Sequence, residues 1–398
     1  MDFNLEPAKE LIVSRFREYV DRELVPLEPA FLESGFAALL PVLRGKRTKA
    51  KKLGLWGPVY PREHGGLGLD LLTYGLVSEA LGRCPLAHYV CGCNAPDAGN
   101  VELLHEAGSP EQKKRWLGPL ASGEFRSCFA MTEPDTSGAN PLMLATRAER
   151  EGDGWTLNGR KWFTTGADGA AFCIVMAITD PGAAARDRAS LFIVPADTPG
   201  YRLVRNTPVM GHVGADLFSH GEIELVNCRV EAGHLLGTRG QGFSLAQARL
   251  GPGRIHHCMR WLGICERALE LMVGRAATRV IGPGARRLGE SDIVRAWIAE
   301  CAAEIRAARL LVLHTAWRIA ITGVKAARDD IALIKFHVAA VLQKVVDRAL
   351  QVHGGLGVTD YTLLAWFYRE ERAARIYDGP DEVHKISVAK RLLRPREG

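Results

Sequence analysis

The sequence predicts a mainly α-helical protein with a central β domain, in the order helices, strands, helices. Three patterns support this fold class: helical apolar spacing in the first third, short β-type runs between turns in the middle, and long apolar helical stripes in the last third. We therefore expect an N-terminal helical domain at 1–126, a middle β-barrel or β-sandwich domain at 127–242 and a C-terminal four-helix bundle at 243–398.

Helical signals dominate the first third. Ser109-Pro110-Glu111 places an N-cap residue, a first-turn proline and an acid in order, which predicts a helix through Trp116. Two earlier helices are indicated by apolar residues on one helical face. They are Leu11, Ile12, Phe16 and Val20 in one helix, and Leu72, Tyr74, Val77 and Leu81 in the other.

The middle third contains short β-type runs. Phe172–Thr179 and Leu191–Val194 are apolar enough for buried strands, whereas Glu222–Val226 alternates, so one of its faces is expected to meet water. Turns rich in Gly, Pro and Asp separate the runs.

Long apolar stripes define the last third, and they predict helices packed in a bundle. The clearest stripe comprises Ile331, Ile334, Val338, Val341, Leu342, Val345, Val346 and Leu350.

Composition limits the function classes. The 398 residues suit two or three domains, and a net charge of +6 is modest. The densest basic run, at 44–52, lacks interleaved aromatics, so we interpret it as a solvated helix face rather than a nucleic-acid or membrane surface. No membrane span or targeting leader is visible.

Nine cysteines form an odd count without C-x-x-C spacing, so we expect reduced, mostly buried thiols, no metal site and a cytoplasmic location. His256 and His257 are adjacent on a predicted helix and point to different sides, which favours packing or hydrogen bonding over metal binding.

Two segments carry the functional signal. Cys128–Pro141, CFAMTEPDTSGANP, is an apolar run that ends in a turn of small residues, which exposes N–H groups and hydroxyls. Trp155–Ala167, WTLNGRKWFTTGA, contains Asn158-Gly159, which predicts a hairpin turn. Trp162 and Thr164 are two residues apart, so they are expected to share one strand face. An aromatic ring beside a hydroxyl suits a flat heterocycle.

Together these segments resemble the flavin-contacting segments of the acyl-CoA dehydrogenase family. The resemblance runs over almost the whole chain. It includes GLGLDLLTYGLVSEALG at 66–82, LGPGRIHHCMR at 250–260, QVHGGLGV at 351–358 and IYDGPDEVH at 376–384. The last of these is similar to the branch of the family whose base loop carries Asp rather than Glu. The resemblance implies that family's fold and FAD as cofactor.

The resemblance also implies a set of cofactor-binding residues. They are Phe129, Met131, Thr132, Gly138, Trp162, Thr164, Arg279, Gln351, Gly355, Pro380 and Glu382. Three positions depart from the family pattern: Gly138 replaces a usual serine, Gly282 a usual aromatic near Arg279, and Pro380 a threonine. Taken singly, Trp162 also fits a sandwich core, and the glycines after Gln351 also fit a helix C-cap.

The resemblance places the catalytic base at Asp378. Alone, an Asp before Gly-Pro also fits a turn or N-cap. The alternative family position for a base falls on 251–253, where Gly, Pro and Gly cannot take a proton. Asp is shorter than Glu by about 1.5 Å. Gly138, Arg254 and Gly379 are implied as substrate-binding residues.

The implied reaction converts an acyl-CoA to a 2-enoyl-CoA, with the α-proton removed by Asp378 and the β-hydride passed to flavin N5. The resemblance further implies an electron-transfer flavoprotein as partner and a homodimer or homotetramer. Two alternatives remain open: a flavin oxidase of the nitroalkane oxidase or acyl-CoA oxidase type, and a non-catalytic flavin-fold protein. Small residues at Cys91, Gly92 and Cys93 hint at room for a long or branched acyl chain.

Overall fold

A computed structural model describes residues 6–394, apart from the side chains of 250–252. This part of the chain forms twelve α-helices: Pro7–Tyr19 (α1), Glu28–Lys52 (α2), Leu71–Gly82 (α3), Ala87–Val90 (α4), Asp97–Ala107 (α5), Pro110–Gln112 (α6), Gly118–Ser122 (α7), Gly242–Thr278 (α8), Asp292–Thr322 (α9), Arg328–His353 (α10), Leu363–Glu371 (α11) and Asp381–Leu392 (α12). Eight strands lie between α7 and α8, so the order of helices, strands and helices is confirmed.

The strands form one sheet. They are Ser127–Ala130 (β1), Arg147–Glu151 (β2), Gly154–Thr165 (β3), Phe172–Ile178 (β4), Ala189–Pro195 (β5), Tyr201–Asn206 (β6), His220–Glu231 (β7) and Leu235–Leu236 (β8). The order is β6-β7-β3-β2-β4-β5-β8, and β1 pairs with β4 in parallel. The other pairs are antiparallel, except for a short parallel contact of β2 with β4.

The described residues fall into two compact units. The helical unit takes its residues from Met1–Gly35, Leu69–His88 and Gly251–Gly398. The sheet unit takes its residues from Phe36–Gly68 and Tyr89–Leu250. The chain passes from one unit to the other inside α2, just before α3, inside α4 and inside α8.

In the helical unit, α10 packs against α9, α11 and α12, and α1 packs against α3. The predicted stripe of α10 is buried from Ile331 to Val346, and Leu350 at its end is half-buried. The prediction of a C-terminal helical bundle is therefore confirmed, because this stripe supplies the seam of the bundle.

In the sheet unit, β4 and β5 are almost entirely buried, as predicted. Alternate residues of β4 enter two different apolar cores. Phe172 and Ile174 pack with Trp116 in one core, whereas Cys173 and Val175 join the other. A strand covered on both faces reads as a continuous apolar run, which explains the sequence pattern.

The predicted hairpin turn at Asn158-Gly159 is wrong, because both residues lie inside the continuous strand β3. The pairing of β3 with β7 shifts register between Leu157 and Gly159, so the dipeptide marks a β-bulge. Gly159 has φ +153, and a Cβ there would lie 2.5 Å from the Thr146 hydroxyl oxygen. The Asn158 side chain accepts a hydrogen bond from the Asn227 N–H at 2.7 Å, across the bulge.

Two local predictions are confirmed. Ser109 caps the helix at Pro110 through a reciprocal hydrogen-bonded box with Gln112, and helical turns continue through Trp116. All nine cysteines are buried and unpaired in disulfides.

The basic run on α2 is mostly exposed, but two of its members make structural contacts. Arg47 and Lys51 lie over the Trp56 ring at 4.8 and 4.4 Å. They also donate hydrogen bonds to the carbonyls of Gly123 and Ser122 at the C-terminal end of α7. Arg47 and Lys51 therefore cap the C-terminal end of α7, whereas the rest of the basic run is mostly exposed to solvent, as predicted.

The segment Pro7–Lys52 meets the length and composition of a membrane span. Its helix is interrupted by a π turn at Val20–Leu24, a 3₁₀ turn at Val25–Leu27 and Gly35 with φ +76. A span needs about 20 consecutive, predominantly apolar residues whose backbone polar groups are satisfied within the protein. These breaks favour the prediction that the chain has no membrane-spanning helix, which stays a prediction.

Candidate active site

The first functional segment leaves β1 and turns at Met131 in the sheet unit. A narrow cavity opens along this turn. It is lined by Met131, Thr132, Glu133, Thr136, Ser137, Gly138, Pro141 and Leu144. Three of the predicted cofactor-binding residues thus line one cavity. Phe129, a fourth, lies on β1, where the Arg249 guanidinium stacks 4.6 Å from its ring centre.

Gly138 occupies the position where the family pattern has serine. A Cβ at Gly138 would approach the Thr132 methyl group at 3.0 Å, which is closer than ordinary packing. A side chain at this position would require the Thr132 methyl group to shift by a few tenths of an ångström.

A buried ion pair fixes this turn against β3, and sequence reasoning missed it. Lys161 Nζ lies 2.9 Å from Glu133 Oε1 and donates at 2.9 Å to the Met131 carbonyl. The Glu133 carboxylate also accepts from the N–H groups of Ala145 and Thr146 at 2.6 and 2.9 Å. Both charged side chains are at most 3% exposed. The available signal was a lysine directly before Trp162, together with the glutamate of the Thr-Glu-Pro turn.

Burial and pairing act on this pair in opposite directions. Burial lowers the pKa of Lys161 to about 8, against the pull of the Glu133 charge. Burial also acts to raise the pKa of Glu133, but the Lys161 ammonium and the N–H donors outweigh it and hold that pKa below its usual value. Both groups are therefore charged at neutral pH.

Trp162 and Thr164 sit at a second bulge of β3. The pairing with β7 shifts register between Lys161 and Thr164, and Phe163 at the bulge has φ +48 and an exposed ring. The regular alternation behind the prediction that Trp162 and Thr164 share a face does not hold here, because the bulge re-aims side chains.

Two polar atoms at this bulge are buried without a partner among the described residues. They are Nε1 of Trp162 and the hydroxyl oxygen of Thr164. A buried polar atom that lacks a partner is unfavourable by about 1–3 kcal/mol. Because a flavin ring edge offers carbonyl and nitrogen acceptors and donors, these atoms fit the implied cofactor.

The base loop lies in the helical unit between α11 and α12. Asp378 has φ +55 and is followed by Gly379 with φ +98. Asp is one of the few residues that tolerate this left-handed region. A Cβ at Gly379 would lie 2.8 Å from the His384 ring, so glycine is required there. Two consecutive residues with positive φ turn the chain sharply before α12.

The main chain of Asp378 is held by two side chains. Its carbonyl oxygen accepts from Arg254 Nη2 at 3.0 Å and Nε at 3.3 Å, and it lies 3.1 Å from His384 Nε2. Burial lowers the pKa of His384, so its ring is neutral at pH 7 and donates through Nε2–H. Burial also lowers the pKa of Arg254, against the pull of the Asp378 charge. In this structure the predicted substrate-binding Arg254 holds the loop.

The carboxylate of Asp378 faces an imidazole that sequence reasoning did not connect with it. His257 Nε2 lies 3.4 Å from Asp378 Oδ2, and the Asp378 side chain is 15% exposed. His256, its neighbour on α8, instead packs on Tyr74 with ring centres 4.0 Å apart, and burial lowers the pKa of His256 to about 3. The two histidines therefore point to different sides, as predicted. The i to i+3 spacing of Arg254 and His257 was the available signal.

Two networks anchor the ends of the loop. The Tyr377 hydroxyl accepts from Arg260 and from Trp261 Nε1, each at 2.8 Å, and Arg260 forms a two-point pair with Glu371. After the loop, the Asp381 carboxylate, which is 1% exposed, binds two cations. They are Arg375 at 2.7 Å and Lys335 at 3.5 Å. Asp378 is therefore held from both sides in the chain.

The remaining predicted residues are spread over the helical unit. Arg279 is exposed just after α8, and Gln351 and Gly355 are exposed around the end of α10. Gly354 ends α10 with φ +62, which agrees with the helix C-cap alternative for this glycine run. Pro380 precedes α12 as its N-cap residue, and Glu382 is exposed in the first turn of that helix.

One cluster outside these sites offers possible metal ligands. Glu63, His64 and His105 bring one ligand atom each within 4.8 Å of the others, although the sequence predicted no metal site. His64 Nε2 lies 3.2 Å from His105 Nδ1, a distance that a hydrogen bond between the two rings also explains.

Comparison with known proteins places the chain in one family. Residues 6–124, 128–228 and 240–393 match the N-terminal, middle and C-terminal domains of acyl-CoA dehydrogenase. The chain is 46% identical to a probable acyl-CoA dehydrogenase FadE2 of Mycobacterium tuberculosis, over 89% of this chain and 86% of that protein. A structure of a putative acyl-CoA dehydrogenase from Mycobacterium abscessus covers 98% of this chain and 99% of its own, with 38% identity and a TM-score of 0.93.

Other curated relatives are longer. The chain is 42% identical to acyl-CoA dehydrogenase family member 11 of Gallus gallus over 88% of its own length, but it spans only 45% of that protein. The three domain matches together cover most of the chain, and they follow the order that the fold requires. The chain therefore belongs to the acyl-CoA dehydrogenase family of flavin-dependent oxidoreductases.

Proposed function

We propose that the protein catalyses FAD-dependent α,β-dehydrogenation of an acyl-CoA thioester to a 2-enoyl-CoA, with Asp378 as the base that removes the α-proton. The observation that carries this proposal is the base loop. The carboxylate of Asp378 is mostly buried, and Arg254 and His384 bind the main-chain carbonyl of the same residue. The neighbouring residues Tyr377 and Asp381 are held by contacts of their own. Such preorganisation is what proton abstraction from a weak carbon acid needs.

FAD would be held by the residues that the family resemblance implies. In the sheet unit, Phe129, Met131, Thr132 and Gly138 line or adjoin one turn, and the orphaned polar atoms of Trp162 and Thr164 would meet the ring. The other residues proposed to bind it are Arg279, Gln351, Gly355, Pro380 and Glu382. Bound FAD would supply a hydride acceptor for the substrate β-carbon.

The protein groups would act on the thioester. The Asp378 carboxylate would take the α-proton, while its main-chain N–H would donate to the thioester carbonyl and stabilise the developing negative charge. Arg254 would hold that N–H in place through the Asp378 carbonyl. Gly379 and Gly138 would allow the substrate to approach closely, since neither carries a side chain.

We also propose a homodimer or homotetramer, an electron-transfer flavoprotein as acceptor, a cytoplasmic location and domain boundaries near 126 and 242. Exposed apolar side chains of the helical unit support self-association, namely Leu310, Trp317 and Ile321 on α9 and Val383 and Ile386 on α12. The exposed Arg279 and Gln351 are available to a second copy.

An anaerobic titration of the flavin absorbance with CoA esters of varied chain length tests the function. Asp378→Asn should keep bound FAD and lose bleaching by about 10²–10⁴-fold, because the amide cannot accept the proton. Asp347→Asn, an exposed residue of α10, is the matched control and should bleach normally.

Three results would overturn the proposal or redirect it. Normal bleaching by Asp378→Asn would reject the base assignment. Stoichiometric hydrogen peroxide in air without an added acceptor would favour an oxidase. A purified protein that takes up no FAD would indicate a non-catalytic role.

A further inference from the structure

We propose that His257 is a positioning residue for the catalytic base, which it serves by binding the carboxylate of Asp378. This inference rests on the proposed function and adds a residue to it. The contact is direct, since His257 Nε2 lies 3.4 Å from Asp378 Oδ2.

The other contacts of Asp378 do not orient its side chain. Arg254 and His384 bind the main-chain carbonyl of Asp378, so they fix its backbone but leave the two side-chain torsions undetermined. The imidazole of His257 instead approaches the carboxylate itself, at Oδ2. When Nε2 carries a proton and donates to Oδ2, the other oxygen, Oδ1, is held in one direction for the α-hydrogen.

His257 is itself held in place. Its ring lies 5.5 Å from the Tyr377 ring and 6.2 Å from the Trp261 ring, and those two aromatic residues are joined by a hydrogen bond between the Tyr377 hydroxyl and Trp261 Nε1. His257 also shares the helix α8 with Arg254, one turn earlier. One helix therefore fixes both the backbone and the side chain of Asp378.

The short side chain of Asp makes this positioning matter. A carboxylate that reaches about 1.5 Å less far than Glu has less freedom to correct its approach. A misplacement of about 1 Å at a reacting group lowers a rate by roughly 10²-fold. The contact with the His257 imidazole would restrict the Asp378 carboxylate to one orientation.

The basic side chains near Asp378 come from α8, α10 and α12. Arg254, His257 and His384 face Asp378 from α8 and α12, and Lys335 faces it from α10, where Lys335 is paired with Asp381. Of these, Arg254 and His384 bind the main chain and Lys335 binds another carboxylate. The predicted effect of His257 therefore depends on its contact with Oδ2, and a substitute that donates a hydrogen bond there should restore it.

The kinetic test compares His257→Leu with His257→Gln. His257→Leu should keep bound FAD and the half-saturating acyl-CoA concentration but lower the limiting rate of flavin bleaching about 10–100-fold. His257→Gln should recover to within about fivefold of the unchanged protein, because its amide can donate to the carboxylate. His256→Gln is the matched control and should stay within about twofold.

A purely space-filling role predicts the opposite order. If His257→Leu bleaches at the normal rate, or if His257→Gln is no faster than His257→Leu, positioning is rejected. The split between limiting rate and half-saturation separates positioning from a loss of substrate binding.

A second measurement needs no substrate. In protein with isotope-labelled histidine rings, Asp378→Asn should move the ring resonances of His257, identified by their loss in His257→Gln. Asp347→Asn should leave those resonances unchanged. If the resonances do not move in Asp378→Asn, the contact is rejected. If they move, but no acyl-CoA bleaches the flavin of the unchanged protein, the contact is retained and the dehydrogenase function is rejected.

Discussion

The bulge of β3 around Trp162 and Thr164 and the loop around Asp378 differ in how their buried polar groups are satisfied. At the base loop, the polar groups around Tyr377, Asp378 and Asp381 bind one another. At the bulge, Trp162 Nε1 and the Thr164 hydroxyl are buried without partners among the described residues. The polar groups of the loop are therefore satisfied within the chain, whereas two polar atoms of the bulge lack a partner among the described residues and fit the FAD proposed above.

Both regions nevertheless depend on buried charge. Glu133 and Lys161 pair at the turn after β1, and Lys335 pairs with Asp381 at the start of α12. Each pair lies next to functional residues. Removal of one partner should therefore damage a site more than removal of an uncharged contact would.

The largest expected effect is that of Lys161→Met. It leaves the Glu133 carboxylate buried without its cation, which should lower the free energy of unfolding by about 3–5 kcal/mol. Chemical denaturation at neutral pH measures this. Lys344→Met is the control, since Lys344 pairs with Glu304 at a half-exposed site, and it should cost less than about 1 kcal/mol.

If Lys161→Met and Lys344→Met lower the free energy of unfolding by the same small amount, the turn after β1 does not depend on its ion pair. The double variant Lys161→Met with Glu133→Gln should regain part of the lost stability, because it leaves no unpaired charge.

The next effect concerns pH and separates two buried glutamates. Burial raises the pKa of Glu79 in the helical unit to about 7, although Arg309 pairs with it at 2.8 Å. The folded protein then binds more protons at Glu79 than the unfolded chain does, so stability at this site falls by about 3 kcal/mol as the pH rises from 4.5 through 7. Glu79→Gln should lack this fall.

Glu133 should show the reverse sign. Its pKa is below the usual value of 4.5, so its contribution is fully present above pH 4.5 and is lost as the pH falls through the lowered folded value. Glu133→Gln should therefore be most harmful at neutral pH. Unfolding curves of both variants between about pH 2.5 and 8 check the signs, and parallel trends would contradict the assignment.

The sequence predicted the helices with periodic apolar residues correctly, but it missed the β-bulges. Periodic stripes such as that of α10, and the cap at Ser109, were predicted correctly because one helix geometry explains many residues at once. Asn158-Gly159 was mistaken for a turn, because the same dipeptide also suits a bulge inside a long strand. Only the pairing with β7 decides between the two.

The site was predicted in its segments but not in its contacts. Asp378 follows from a local motif, whereas His257 lies 121 residues away in the chain and reaches it only because α8 packs beside the loop. The ion pair of Glu133 with Lys161 joins two segments in the same way. Contacts between distant segments depend on packing, which a single sequence does not encode locally.

The smallest expected effect isolates the bulge itself. Thr164→Val replaces a fully buried hydroxyl that has no partner among the described residues by a methyl group of similar size. The FAD-free protein should keep its free energy of unfolding within about 0.5 kcal/mol or gain slightly, while the Kd for FAD rises about tenfold. Thr165→Val is the control, because the Thr165 hydroxyl already contacts His220 Nδ1 at 3.0 Å. That variant should lose stability and keep its Kd. If Thr164→Val loses stability instead and binds FAD normally, the bulge is a structural feature and not a ligand site.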